Sequence, residues 1–255
     1  MKSLVLTAMG LAMASQVAVA AVSQAGREAQ AAAGEYRAAV MACDMGWAFD
    51  FMYPPIKRTL ADRFASRQPG QERQDARRIM GLEKETAEQA EERMKKNMAA
   101  LRMQYVRMGQ QMKAQGFKVE RFVVGAPYAE YELVSSGSAA RSVRAGSVQG
   151  RDGKIKRAED IQWEGDRSRL VVLPTTLWIS VTDAKTGRSV RMERKDFIYA
   201  VRDEYHSNSK ATNRGTKLNK WYFIDSNTDV NTLRTYFPTL PLNINIPDTG
   251  DRPLN

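Results

Sequence analysis

Two aspartates flank a tryptophan early in the chain. Asp44 and Asp50 stand three positions before and three positions after Trp47. On a helix, each would lie about 60° to one side of the stripe that contains Trp47. A carboxyl group in an apolar, aromatic pocket has a raised pKa and acts as a general base. We therefore treat Asp44, Asp50 and the phenol of Tyr199 as candidate catalytic groups, although acidic residues beside an apolar stripe commonly remain in water.

Aromatic residues suggest where a small ligand would bind. The positions of these aromatic residues predict a pocket between the Trp47 side of the first helix and the concave side of bent strands. Its wall would contain Asp50, Tyr53, Trp178 and Tyr199. The plainer interpretation is that these aromatic side chains belong to the core.

Basic residues form the remaining functional feature. The formal net charge is +10, which favours acidic partners. Six candidate anion-binding residues lie in one Ser- and Gly-rich segment: Arg141, Arg144, Arg151, Lys154, Lys156 and Arg157. They lack regular aromatic neighbours, so they predict generic anion attraction without specific nucleic-acid recognition. A surface that only keeps the protein soluble is the plainer alternative.

Cysteine and histidine each occur once, as Cys43 and His206. No intramolecular disulfide can form, and neither a metal centre nor a Cys–His nucleophile is predicted. No phosphate-binding glycine loop is present, so we expect no cofactor. Residues 40–43 superficially match a lipoprotein cleavage box, but charged residues separate them from the apolar N-terminal stretch.

The first twenty residues match an export signal. Lys2 precedes an apolar stretch over 4–14, and Ala-Val-Ala at 18–20 is a typical cleavage site. We expect residues 1–20 to be a signal peptide and the mature protein to begin near Ala21, in the periplasm or outside the cell. No other segment is long and apolar enough to predict a transmembrane helix.

Helical spacing organises the first half of the mature chain. Residues 21–34 are predicted to be a flexible lead-in. Apolar residues over 35–51 then share one helical face until Pro54 and Pro55 end the helix. A short second helix is predicted within 56–74.

A long helix is predicted over 75–115, ending at Gly116. Its apolar stripe consists of Ala90, Met94, Met98, Leu101, Tyr105, Met108 and Met112. We expect this stripe to cover a sheet, with Met98, Leu101 and Tyr105 buried there. The alternative is a coiled coil in which the helix over 90–112 mediates assembly.

After Gly116 the apolar period becomes that of strands. Strands are predicted over 117–124, 128–134, 170–182, 189–202 and 220–225, and a small helix is predicted over 229–236. The apolar positions of the fourth strand change parity, which predicts a bulge near Lys195 and Asp196. Basic loops are predicted at 135–160 and 207–217, and residues 240–246 form an edge strand or a strap.

Several short motifs accompany this order of elements. They are Trp47 to Pro55, Gly116 to Glu120, Gly125 to Pro127, Val172 to Pro174, Lys220 to Asp225 with Leu233, and Phe237 to Pro241. Together they resemble the nuclear transport factor two superfamily, the cystatin-like cone, and its exported bacterial branch in particular. The resemblance implies helices on a curved antiparallel sheet, in a fold that hosts isomerases, dehydratases and non-catalytic binding modules.

The sequence therefore predicts an α+β protein. It comprises one cone-like domain over 35–247 and a tail over 248–255. The favoured function is a non-enzymatic module of the cell envelope that binds a small apolar or anionic ligand, an envelope protein or a polymer. The alternatives are an isomerase or hydrolase-like enzyme with an aspartate base, and a structural protein that assembles through its helix.

Overall fold

A computed structural model describes residues 22–67, 85–136, 147–149, 155–157, 166–182, 186–205 and 215–254. Helices pack against a curved antiparallel sheet, which confirms the α+β class. The helices in these ranges are α1 (Gln24–Met41), α2 (Met45–Asp50), α3 (Pro54–Ser66), α4 (Ala87–Ala114) and α5 (Val230–Tyr236). The strands are β1 (Phe117–Val124), β2 (Ala129–Ser136), β3 (Ser147–Gln149), β4 (Ile155–Arg157), β5 (Asp166–Thr182), β6 (Ser189–Tyr205), β7 (Trp221–Asp225) and β8 (Gly250–Leu254).

Two long strands, β5 and β6, form the centre of the sheet as an antiparallel pair. On the outer side of β5, β1 pairs with its second half and β2 with its first half. On the outer side of β6, β8 pairs with its first half and β7 with its second half. Residues 51–53 run beside β7, where the Phe223 nitrogen donates to the Phe51 carbonyl oxygen at 2.8 Å. Residues 51–53 therefore lie along this edge of the sheet.

The two faces of the sheet are covered by different elements. Helix α1 lies on one face, here called the α1 face, where it packs on Val171, Leu173 and Ala200. The opposite face, here called the tail face, carries Leu170 and Tyr199. These side chains pack with α3, α5 and residues 237–244. Because successive strand residues point to opposite faces, the middle of the sheet is apolar on both sides.

Helix α1 corrects the prediction of a flexible lead-in over 21–34. Ser23 begins the helix, because its hydroxyl oxygen accepts a hydrogen bond from the Gly26 nitrogen at 2.8 Å. Ala25, Ala29 and Ala33 recur every fourth residue and are buried on the sheet. Alanine favours helix, and its small side chain lets a helix lie close to its support. Because residues 21–34 contain few large apolar side chains, their sequence did not predict a packed helix.

The single helix predicted over 35–51 is in fact two. Cys43 lies in the left-handed region with a φ of 47°, and the chain turns there. Asp44 then begins α2, since its Oδ1 accepts from the Trp47 nitrogen at 2.9 Å. Pro54 and Pro55 begin α3, because the first positions of a helix need no N–H donor.

Helix α4 ends as predicted, before Gly116, whose φ is 71°. Its apolar stripe does not cover the sheet, which corrects the prediction. Leu101 is buried beside Phe49 of α2, and Met98 and Tyr105 are half-buried in the same cluster with side chains of α3. The 3.6-residue period identifies the apolar side of a helix, but it carries no information about which surface meets that side.

The predicted bulge near Lys195 and Asp196 is also wrong. Both residues stay in register with β5, paired with Thr176 and Thr175. The apolar parity changes because the two ends of β6 are covered on opposite faces. Met192 packs on the α1 face, whereas Tyr199 packs on the tail face. Register shifts occur instead at Val119/Arg121, Val134/Ser136 and Arg167/Ser168.

The C-terminal segment crosses the tail face as a strap and then joins the sheet. Leu240 is buried and Ile244 packs on the core, while Leu242 is 65% exposed. The Asn245 nitrogen donates to the Tyr131 hydroxyl at 2.8 Å, which ties the strap to β2. The tail predicted over 248–255 contains β8.

The two predicted basic loops are described only in part. Within 135–160 the strands β3 and β4 form an antiparallel pair. Residues 137–146, 150–154 and 158–165 lie outside the described residues, as do 206–214 of the second loop.

Candidate functional site

The structure places Asp50 in water and not in an apolar pocket. Its carboxylate accepts two hydrogen bonds from Arg102, at 2.9 Å from Nε and 2.7 Å from Nη2. The Asp50 side chain is 47% exposed. Ion pairing with Asp50 raises the pKa of Arg102. The predicted general base is therefore engaged in a surface ion pair between α2 and α4.

The other members of the predicted pocket lie in separate places. Trp47 stacks near Phe51, which packs on the α1 face. Tyr53 and Tyr199 are buried in the core on the tail face, where burial raises the pKa of Tyr199 to about 12. Trp178 lies on the tail face beyond this core. Trp47 therefore lies beside a residue of the α1 face, whereas Tyr53, Trp178 and Tyr199 lie on the tail face.

Asp44 stabilises the start of a helix. Its Oδ1 caps α2, and the residue is exposed. The predicted anion-binding residues Arg141, Arg144, Arg151 and Lys154 lie outside the described residues. Lys156 and Arg157 belong to β4, and their side chains are not among those described.

A buried carboxyl group that the sequence did not single out lies on the tail face. Asp203 is fully buried, and its Oδ1 accepts from the Ser168 hydroxyl at 2.7 Å and from the Tyr53 hydroxyl at 3.2 Å. Its Oδ2 is buried and has no hydrogen-bond partner within the part of the chain that the structure describes. The structure thus gives Tyr53 a role in binding a core carboxyl group.

The half of the tail face that the strap leaves free is basic. In this half, the strand register determines which side chains of β1, β5, β6 and β8 point to the tail face. We call this region the basic sheet surface. Its polar and aromatic members are Lys118, Glu120, Arg121, Thr176, Trp178, Ser180, Arg191, Glu193, Lys195 and Arg252, and the register also places Val123 and Leu254 on this face. No element that the structure describes covers it.

Two ion pairs cross this surface. Arg191 Nε donates to Glu120 Oε2 at 3.1 Å, and Arg252 Nη2 donates to Glu193 Oε2 at 3.1 Å. The hydrogen bond from Arg191 holds the pKa of Glu120 below its ordinary value. The two pairs neutralise both acids of the surface.

Three cations of the surface form no salt bridge with a described acidic side chain, although the charge of Lys118 acts on the nearby Glu120 carboxylate. They are Lys118 and Arg121 on β1 and Lys195 on β6, all exposed. The surface therefore has an excess of three positive charges on a sheet, where backbone pairing fixes the positions of the side chains.

Arg121 is held in place by an aromatic ring. Its guanidinium carbon lies 4.8 Å from the centroid of the Trp178 ring, within the range of a cation–π contact. Stacking orients the guanidinium but does not consume its N–H donors, which can still bind an oxyanion in a bidentate manner. The pocket predicted from the sequence includes Trp178 but not Arg121.

One pattern in the sequence could have predicted this surface, namely the alternation of polar and apolar residues along a strand. Lys118 and Glu120 alternate with apolar Phe117 and Val119, which is typical of a strand with one polar face. Strand β6 shows the same alternation over 190–193, after which Arg194 and Lys195 are both charged. What the alternation could not reveal was that both polar faces lie on the same side of one sheet.

Next to this surface, a groove of about 180 Å³ lies between β6 and the chain that leads into β8. Lys195, Asp248 and Arg252 line it, together with residues 249–251. The groove extends the polar surface toward the strap.

Within the described residues, no three His, Cys, Asp or Glu side chains are grouped so that they could hold a metal ion. None of the described helices has the length and apolar character needed to cross a bilayer. The chain is an α+β protein with a curved antiparallel sheet, one half of which is a basic surface. No protein-family model matches the chain, and no curated protein or solved structure is significantly similar to it.

Proposed function

We propose that this protein is an exported, non-enzymatic module that binds an anionic polymer of the cell envelope through the basic sheet surface. The observation that carries the proposal is a group of three cations, Lys118, Arg121 and Lys195. They form no salt bridge within the described residues, and they lie on the half of the sheet that no described element covers. A rigid array of cations on neighbouring strands attracts a ligand with several negative charges. Surface binding also agrees with the burial of large side chains such as Tyr53 and Phe237 in the core.

The enzymatic alternative has weaker support from its candidate residues. Asp50 is paired with Arg102, and Asp44 caps a helix. Tyr199 is buried with a pKa raised to about 12, so its phenol is protonated at neutral pH. A general base must reach its substrate in the deprotonated form.

Export is proposed from the signal-like pattern of residues 1–20. N-terminal sequencing of protein recovered from the periplasm or the medium should give a start at or within two residues of Ala21. A lipid-modified start at Cys43 would contradict this. The fold favours the first outcome, because cleavage before Cys43 would remove α1, which covers the apolar α1 face.

Membership of the nuclear transport factor two superfamily also remains a proposal. The order of elements supports it: helices precede a curved antiparallel sheet, and the proline pair at Pro54 separates two of them. A binding role fits a superfamily that contains many non-catalytic modules.

Heparin, a soluble polyanion, tests the binding proposal. The variant Lys118→Gln/Arg121→Gln/Lys195→Gln removes three charges from the basic sheet surface. The matched control Lys95→Gln/Arg107→Gln/Lys113→Gln removes three exposed charges from α4. We expect the first variant to elute from heparin at lower salt than the control and its log–log salt slope to fall by about 2 to 3.

A deletion of residues 138–157 separates this site from the loop predicted from the sequence. The sheet proposal expects the deletion variant to keep most of its heparin retention. If retention is lost on deletion while the sheet variant elutes like the parent, the loop residues bind the polymer and the sheet proposal is wrong.

A further inference from the structure

The cations of the basic sheet surface stand on both sides of its centre. In one cross-strand row, Arg121 of β1, Trp178 of β5, Glu193 of β6 and Arg252 of β8 follow each other. With neighbouring strands about 4.8 Å apart, the backbones of the two arginines are separated by about 14 Å. An extended chain lying across the strands can contact both arginines together with the cations beside them.

The same surface offers no free aromatic ring to a nucleic-acid base. Within the set of residues that defines the surface, Trp178 is the aromatic member, and Arg121 stacks on its ring. Proteins that bind single-stranded nucleic acid gain much of their affinity from bases stacked on such rings. A polymer with bases would therefore gain only electrostatic attraction here.

Acceptor groups lie among the cations. The Glu120 carboxylate is 26% exposed, and it adjoins Arg191 and Ser180. Paired with Arg191, this carboxylate offers no donor to a phosphate, but its oxygens can accept hydrogen bonds from hydroxyl groups. This combination favours a ligand in which negative charges alternate with hydroxyl-rich segments.

From these three observations we propose that the basic sheet surface binds an acidic polysaccharide, which lies across the strands from β1 toward β8. This inference rests on the proposed function and specifies its ligand class. The ligand must be long enough to reach from Arg121 to Arg252, so affinity increases with chain length until both ends of the row are occupied. A deoxyribonucleic acid of equal charge binds more weakly.

Titration of the full mature chain with defined probes tests the inference. Heparin-derived disaccharide, hexasaccharide and decasaccharide are compared with oligo(dT) of the same charge as the hexasaccharide, at one salt concentration. We expect the hexasaccharide to bind about ten-fold more tightly than the disaccharide and than oligo(dT). In Glu120→Gln, the ratio of hexasaccharide to oligo(dT) affinity should fall about three-fold.

The outcomes separate this inference from the proposed function. Equal affinity for oligo(dT) and hexasaccharide would make the surface a general polyanion site, and equal affinity for disaccharide and hexasaccharide would make it a single-anion site. Either result overturns the polysaccharide assignment while leaving anion binding intact. If the Lys118→Gln/Arg121→Gln/Lys195→Gln variant binds every probe like the parent, the proposed function itself is wrong.

Discussion

The guanidinium of Arg121 rests on the indole ring of Trp178, with 4.8 Å between the guanidinium carbon and the ring centroid. The two residues are paired across β1 and β5. Because the strand register sets their separation, the aromatic ring restricts an arginine that would otherwise sample many rotamers. Such restriction lowers the entropy lost when the arginine binds a ligand.

Replacement of the ring should weaken binding without any change in charge. In Trp178→Leu, we expect the affinity for heparin hexasaccharide to fall about three-fold, because the cation–π contact contributes about 0.5 to 1 kcal/mol. The slope of affinity against salt should stay the same, since all cations remain. Isothermal titration at several salt concentrations measures both quantities. Trp47→Leu is the control, and an equal loss in that variant would argue against a specific role for Trp178.

The hydrogen bond from Tyr53 to Asp203 should contribute to stability. Tyr53→Phe removes a hydroxyl that donates to a fully buried carboxyl group whose other oxygen has no hydrogen-bond partner among the described residues. We expect a loss of about 1 to 3 kcal/mol in the free energy of unfolding, measured with urea. Tyr128→Phe, on a residue that is 55% exposed, should change little. If the two variants have the same stability, the bond to Asp203 contributes nothing measurable.

A glycine of α4 permits close contact with the turn between α1 and α2. A Cβ atom at Gly109 would lie 2.5 Å from the carbonyl oxygen of Cys43 and 3.2 Å from the Met45 nitrogen. Gly109→Ala should therefore displace α4 and lower the free energy of unfolding by about 1 to 3 kcal/mol. Gly34 of α1 is the matched control, because a Cβ there meets nothing within 4 Å. Gly34→Ala should stabilise the protein by about 0.5 to 1 kcal/mol. An equal gain in both variants would show that α4 does not approach the turn this closely.

Lys57 should make stability depend on pH in the alkaline range. It is a buried residue of α3, and its Nζ donates to the Asp50 carbonyl oxygen at 2.8 Å. Burial lowers the pKa of Lys57 to about 8. The unfolded chain therefore binds the proton more tightly than the folded chain. The cost of burying the charge is fully present below about pH 8 and decreases as the pH rises toward the ordinary lysine value of about 10.4.

Lys57→Met tests this dependence. At pH 7 we expect the variant to be more stable than the parent by about 1 kcal/mol, because the buried charge is gone although one hydrogen bond is lost. The advantage should shrink when urea unfolding is repeated at pH 9.5. Lys95→Met, on an exposed residue of α4, should show no such trend. A difference between parent and Lys57→Met that is constant with pH would show that Lys57 does not titrate in this range.

The sequence by itself determined those features that depend on local periodicity. The spacing of Met94, Met98 and Leu101 identified α4, and Gly116 marked its end. Alternation identified the long strands β5 and β6, and Asp229 stands at the start of the predicted small helix. These predictions succeeded because the backbone period directs each side chain to one side of its own element.

Only the tertiary structure decided which surfaces meet. The stripe of α4 packs on α2 and α3, and the sheet is covered on both faces at its centre. The same holds for the candidate site: Arg121, Lys195 and Arg252 are distant in sequence and share one surface only through the pairing of β1, β5, β6 and β8. Strand order and register depend on non-local contacts, which no periodicity within one segment records. For that reason the sequence revealed the positive charge of this protein, whereas its arrangement on one sheet surface required the fold.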